Sequence, residues 1–314
     1  MEHFVGVGTC YLDTILRVDY FVEEGHKAEA ASIIRRRGGK CPNAIEVLQQ
    51  LMVAEAAALQ VKLVAVLPNQ FTPASVDFEV SFAGEDVLRH CIYREDEAEP
   101  ARRYIIRNLQ GSSNTIIDHN PQGDMTLAEF KKAAKKLDTE AAWYHFEGRI
   151  PDVTLKCMKH LRLKYPGVKI SVELDEPARP GMPDLAPHAD VVFFTKSWAV
   201  DKRYSDAQSF LDAQSFHAKQ GSLLFCTWGD EDAWAYEPFG QGLVHVPAYR
   251  VEPHLMVVDT LGAGDAFVAG ILYGLIFHSE DWSLEDKLRF ANRLAAKKPL
   301  LEGFAGLREV MEED

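Results

Sequence analysis

The sequence predicts an α/β protein with a doubly wound, mostly parallel sheet, helices on both faces of it, and a small β-sheet lid. Three observations point there. Short apolar runs alternate with amphipathic stretches along most of the 314 residues. The apolar runs are nearly continuous, as in strands covered by helices on both sides. Two segments, 11–37 and 101–120, break the rhythm with β-branched and aromatic residues around turn residues.

VGVG opens the first strand, and NAIEVLQQLM reads as a helix because Ile45, Leu48, Leu51 and Met52 fall on one face at helical spacing. VKLVAVL is the next strand, with the 84–91 region as its amphipathic partner; WYHFE leads into the helix VTLKCMKHL; VKISVEL, DVVFF and LLFCT are three more strands. In VVDTLGAGDAFVAGI, residues 257–271, Val257 and Val258 end a strand and Asp259 and Thr260 turn the chain. Gly262, Ala263 and Gly264 then lead into a helix that buries Phe267, Val268, Ile271 and Leu272. YLDTILRVDYF and AEAASIIRRR pair across a connection centred on Gly25, and residues 101–120 form a hairpin that turns between Gln110 and Asn114. Four short strands make a thin hydrophobic face, so this small sheet is expected to cover a cleft as a lid or to pair with a second copy in a homodimer. The expected division is 1–10, 42–98 and 121–314 for a large α/β nucleotide and catalytic domain, and 11–41 and 99–120 for the lid.

Composition narrows the function. With 34 basic and 47 acidic side chains the formal charge is −13, which disfavours nucleic acid or an anionic membrane surface as partner. Five cysteines, Cys10, Cys41, Cys91, Cys157 and Cys226, contain no CxxC pair and suggest neither a disulfide framework nor a zinc cluster. The amino-terminal stretch MEHFVGVGTCYLD is too briefly apolar for a signal peptide or membrane span, so a reducing, cytoplasmic location is expected.

The chemistry concentrates at 257–271. Small residues at the start of a helix leave backbone N–H groups unshielded, and with the helix dipole they suit an oxyanion or phosphate. Asp265 would repel that anion unless it has a task, and accepting a proton from an attacking hydroxyl is such a task. A tight turn followed by a dipole-favourable acid is the alternative reading of the same residues. The segment lacks the Lys followed by Ser or Thr of a P-loop.

DTLGAGDAFVAGIL resembles the carboxyl-terminal signature of the ribokinase-like PfkB carbohydrate kinases, and RRRGGKCPNAIEVL resembles their amino-terminal motif. GVGTCYLDTILRVD, WYHFEGR, ISVELDEPAR, ADVVFFTK, LLFCTWGDE and LEGFAG extend the likeness, towards the ketohexose-phosphorylating branch of the family, from residue 6 to about 306. The resemblance implies an ATP-dependent sugar kinase that makes fructose 1-phosphate from fructose. It implies Asp265 as catalytic base with Gly262, Ala263 and Gly264 as anion hole, and Asp13 at the end of the first strand with Gly39, Lys40 and Asn43 around the sugar. Asn114, Thr227, Trp228, Gly229 and Asp230 stand where nucleotide contacts are expected, together with Gly262 and Gly264. The cofactors implied are ATP and Mg2+, with a K+ site near Asp259; no magnesium ligand is assigned, although Glu147 and Glu173 are acids near strand ends.

Several positions depart from the pattern. Lys40 replaces a sugar-touching Asn; it suits a sugar acid such as ketodeoxygluconate if it faces the pocket, and the outward orientation is preferred. Asn114 replaces an ATP-contacting Arg, which Arg103 or Arg107 would have to reach across to replace. LPNQFTPASVDFE replaces a glycine-rich acidic loop. Arg35, Arg36 and Arg37 are expected to alternate between solvent and cleft, and His145 to be a satisfied core histidine. A kinase for another sugar or a nucleoside, and a non-catalytic sensor on the same fold, remain as alternatives.

Overall fold

A computed structural model gives the fold and describes residues 1–20, 22–55, 59–82, 86–109, 114–137, 140–229, 231–252 and 254–312. In chain order the described strands are β1 (His3–Val7), β2 (Tyr11–Val18), β3 (Ser32–Gly38), β4 (Gln60–Val64), β5 (Val66–Leu67), β6 (Ile92–Tyr93), β7 (Arg102–Asn108), β8 (Asn114–His119), β9 (Ala142–Glu147), β10 (Lys169–Leu174), β11 (Val191–Thr195), β12 (Leu223–Thr227), β13 (Asp232–Glu237) and β14 (Gly242–Pro247). The described α-helices are α1 (Lys40–Met52), α2 (Pro73–Val80), α3 (Leu127–Leu137), α4 (Pro151–Lys164), α5 (Lys196–Asp201), α6 (Ala207–Ser215), α7 (Ala263–Phe277), α8 (Leu284–Lys297) and α9 (Leu307–Glu312).

The main sheet runs β14-β13-β12-β11-β10-β9-β1-β4. It is parallel from β4 to β12 and ends in the antiparallel hairpin β13–β14. Successive residues of one strand point to opposite faces. Thus Val191 and Phe193 of β11 pack with α1, α7 and α8, whereas Val192 and Phe194 pack with the α3, α4 and α6 side. That two-sided burial is why these strands read as continuous apolar runs. α7 is buried without a break from Ala266 to Gly274, so it lies inside the protein as a central helix rather than on its surface. A second sheet, β3-β2-β7-β8, joins β2 antiparallel to β3 and parallel to β7, with Asp13 opposite Arg36 and Arg103.

Four expectations change. The segment 257–258 is not a strand: the amides of Val258 and Asp259 donate to the Pro299 carbonyl at 2.7 and 3.0 Å instead of pairing with a strand of the sheet. A helix forms over Pro73–Val80 inside the stretch read as loop, started by Thr72, whose Oγ1 accepts from the Ser75 amide at 3.3 Å, and by a proline in the first turn. The described part of 84–91 forms turns instead of a helix. Asp13 is the third residue of β2 in the small sheet and does not end the first strand, which stops at Val7. The hairpin turn residues 110–113 lie outside the described residues.

Candidate active site

The helices α1 and α7 aim their amino termini at one cleft between the two sheets. Gly39 caps α1 at φ 111, a backbone region closed to most side chains, and a Cβ there would collide with the Thr9 carbonyl. Gly262 caps α7 at φ 87 above the Phe304 ring. The first turn of α7 leaves the amides of Ala263, Gly264 and Asp265 without intrahelical acceptors, and Gly264 has open space where a Cβ would stand.

Asp265 and Asn43 are brought together: Asn43 Nδ2 donates to Asp265 Oδ2 at 2.7 Å, while Asn43 Oδ1 accepts from Arg37 at 3.1 Å. The two bonds leave the amide one orientation, so the carboxylate is aimed by a fixed donor. Arg37 is held in turn by Glu46. Burial, and secondarily the charge of Glu173, raise the Asp265 carboxyl to about 6 against the pull of Lys40.

Asp13 faces the same space from β2. It is buried, its Oδ1 has no hydrogen-bond partner among the described residues, and burial together with the Asp265 charge lifts it to about 6 despite Arg103, Arg36 and Arg37. A buried carboxylate oxygen without a donor is what a polyol hydroxyl satisfies. Beside it, Tyr11 lies under the Arg103 and Arg149 guanidiniums, and both arginines hold Asp118, at 2.8 and 2.7 Å.

Lys40 does not turn outward. Its Nζ donates to Glu173 Oε2 at 3.1 Å and pairs with Asp175 at 2.9 Å, because the start of α1 points it at the end of β10. Burial would lower this ammonium, but Glu173 and Asp175 outweigh it and hold it well above its usual value. The same pairing, with His145, takes Glu173 down to about 2 although burial opposes it. His145 is fully buried between Ser171 and Glu173, at 2.8 and 3.1 Å, a core histidine with both ring nitrogens engaged. Glu147 accepts from the Thr9 amide at 2.9 Å, and burial raises it to about 7.

A cavity of about 470 Å³ adjoins this cluster, lined among others by Thr227, Gly229, Tyr249, Ala263, Gly264 and Pro299. A smaller one of about 60 Å³ between Lys40, Glu173, Asp175 and Gly264 shares its wall. Thr227 and Gly229 both line the larger cavity. Trp228 is not on that wall: its side chain is buried in the core, and its amide closes the turn to Asp232 at 2.8 Å. Asn114 opens β8 opposite Arg107 and is not on the cavity wall; Asp230 lies outside the described residues. Arg103 and Arg107, which would have to reach across in place of Asn114, are bound to Asp118 at 2.8 Å and to Asp259 at 3.0 Å.

Asp259 anchors the loop before α7. Arg36 at 2.6 Å, Arg107 at 3.0 Å and Lys298 at 2.8 Å surround its carboxylate, and Lys298 also donates to its carbonyl at 2.8 Å. Burial would raise Asp259, yet Lys298 and Arg36 hold it at about 2. Nothing in the sequence singles out Lys298, which follows Lys297 where a basic residue at a helix end is ordinary; its burial is visible only in three dimensions.

Among the described residues no helix is long and apolar enough to cross a membrane, and no group of three or more His, Cys, Asp or Glu is arranged to hold a metal. Residues 1–301 match the model of the pfkB family carbohydrate kinases. The chain is 32% identical to ketohexokinase of Mus musculus over 311 residues, which cover 96% of this chain and 97% of that protein. It is 26% identical to fructokinase-2 of Oryza sativa subsp. japonica over 66% of this chain and 64% of that one. Its fold matches ribokinase of Giardia lamblia with a TM-score of 0.77 at 15% identity, covering 99% of this chain and 98% of that one. It matches ribokinase of Cryptococcus neoformans var. grubii serotype A in complex with ADP with a TM-score of 0.71 at 19% identity, over the whole of both chains.

Proposed function

The chain belongs to the pfkB family of carbohydrate kinases and is a sugar kinase, and from that premise we propose that it transfers the γ-phosphoryl group of ATP to a ketohexose, converting fructose to fructose 1-phosphate. The observation that carries this reading is Asp265 in the first turn of α7, among amides without intrahelical acceptors, beside Asp13, whose buried Oδ1 has no hydrogen-bond partner among the described residues. Asp13, Gly39 and Asn43 hold the sugar. Asp265 takes the proton of the reacting hydroxyl as its oxygen bonds to phosphorus and the bond to the ADP oxygen breaks, and the amides of Gly262, Ala263 and Gly264 receive the charge gathering on the phosphoryl oxygens. The large cavity between Thr227, Gly229 and Pro299 takes the nucleotide. Magnesium carried on the nucleotide would neutralise phosphate charge; Glu173 and Asp175 line the small cavity shared with Gly264, but both are already paired with Lys40, so no residue is assigned to hold the ion.

Lys40 decides between substrate classes. Its charge is engaged by Glu173 and Asp175, so it is not a free counter-ion for a sugar acid, and a neutral ketose is favoured over ketodeoxygluconate. ADP release measured over fructose, ribose, adenosine and ketodeoxygluconate tests this: fructose is expected to give the highest kcat/KM, and absence of any sugar-dependent turnover would overturn the kinase reading.

The pH dependence follows from the base. Asp265 works only when ionised and its carboxyl sits at about 6, so kcat/KM is expected to fall as pH drops through 6 and to level off above it. A limb centred near pH 4 would show that the reacting carboxylate is elsewhere. We also take the small sheet, residues 11–41 and 99–120, as the lid, and its outer face, with Ile33, Tyr104 and Ile117 exposed, as a homodimer surface. Light scattering is expected to give twice the 35.2 kDa chain mass; a monomer refutes the pairing.

A further inference from the structure

Every oxygen of Asp259 is already an acceptor. Its Oδ1 receives Arg107 at 3.0 Å and the Leu261 amide at 3.1 Å; its Oδ2 receives Arg36, Lys298 and the Gly303 amide at 2.6, 2.8 and 3.2 Å; its carbonyl receives Lys298 at 2.8 Å. The neighbouring Pro299 carbonyl is bound by the amides of Val258 and Asp259. A potassium ion near Asp259, as the resemblance implies, needs these same oxygens and would stand against an ammonium and two guanidiniums. The side chains of Lys298 and Asp259 are 0% and 1% exposed, so little water is there to screen that repulsion. The residues present do not fit the ion.

We infer that Lys298 is the chain's own monovalent cation, and that this kinase needs no potassium. An ammonium and a potassium ion carry the same charge and take the same oxygen donors. From the end of α8, the Lys298 Nζ ties the Asp259 carbonyl to its own carboxylate and lies 5.2 Å from the centre of the Phe304 ring on which Gly262 rests. Those contacts fix the turn 259–262, and with it the direction of the amides of Ala263 and Gly264. Lys298 is thus a positioning residue for the anion hole, acting through Asp259 and Phe304 and touching neither substrate.

The inference uses the kinase reading only where activity is measured; its stability and diffraction readouts stand apart from it. In the full chain at constant ionic strength, replacing tetramethylammonium chloride by potassium chloride is expected to leave Tm unchanged. Crystals grown with rubidium chloride are expected to show no anomalous peak at Asp259, and fructose turnover is expected to change by less than about twofold. A potassium-specific rise in Tm, a rubidium peak on the Asp259 carbonyl, or a larger activation overturns it. Lys298→Met is expected to lower Tm and to regain part of the loss with potassium alone; a folded variant as stable as the parent and indifferent to potassium also overturns it. If that variant does not fold, the parent's measurements decide, and a chain that turns over no sugar refutes the kinase function while Tm and rubidium still judge Lys298.

Discussion

Asp265→Asn is expected to lower kcat by about a thousandfold, the span a positioned proton acceptor typically contributes, with little change in the affinity for sugar or nucleotide. The substitution keeps the size of the side chain and an oxygen that can accept from Asn43 Nδ2, so the geometry at the head of α7 survives. What is lost is the ability to bind a proton. Stability is the control. A carboxyl raised to about 6 by burial is ionised at neutral pH at a cost to the fold, so the Asn variant is expected to unfold at the same temperature as the parent or above it. Turnover within about tenfold of the parent, with Tm intact, would remove Asp265 from the chemistry.

The sequence disclosed this end of the site because the information there is local. Gly262, Gly264 and Asp265 lie within four residues, and a helix start needs no distant partner to be recognised. Gly39 and Asn43 were legible for the same reason. The sheet was equally plain, since two-sided burial writes itself into runs such as VVFFT, residues 191–195. What stayed hidden depends on contacts between distant segments. Lys40 read as a solvent-facing cation because nothing near it in sequence is acidic; Glu173 and Asp175 are supplied by β10 and the residue after it, more than 130 positions away. The helix at Pro73–Val80 was passed over because its apolar positions make no clear stripe, and its Thr-Pro start was the available signal. Val257 and Val258 mimicked a strand end by composition, but strand status requires pairing with a neighbouring strand, and the amides of Val258 and Asp259 go to the Pro299 carbonyl instead.

Asp259→Asn is the substitution from which the largest loss of stability is expected, because it strips the counter-charge from three cations at once. Arg36 comes from β3, Arg107 from β7 and Lys298 from the end of α8, so one carboxylate joins the small sheet to the large one beneath the anion hole. Breaking a buried pair on one side costs about 3–5 kcal/mol, since the partner is left charged and unsolvated. Glu302 forms an ion pair with Arg36 alone of the three and reaches Lys298 only through its field, and its side chain is 40% exposed. Urea unfolding of the variant is therefore expected to show a loss of about 3 kcal/mol or more, and a loss below about 1 kcal/mol would mean that the cluster is not what fastens the sheets together. Acid provides a second test with a fixed sign. Asp259 sits at about 2 in the fold, below the range of an unfolded Asp, so its contribution is complete above about pH 4 and is lost as pH falls from there through 2. The parent's stability should therefore decline across that window with a slope that Asp259→Asn reduces, and equal slopes in the two proteins would show that the carboxylate is not ionised more readily in the fold than in the open chain.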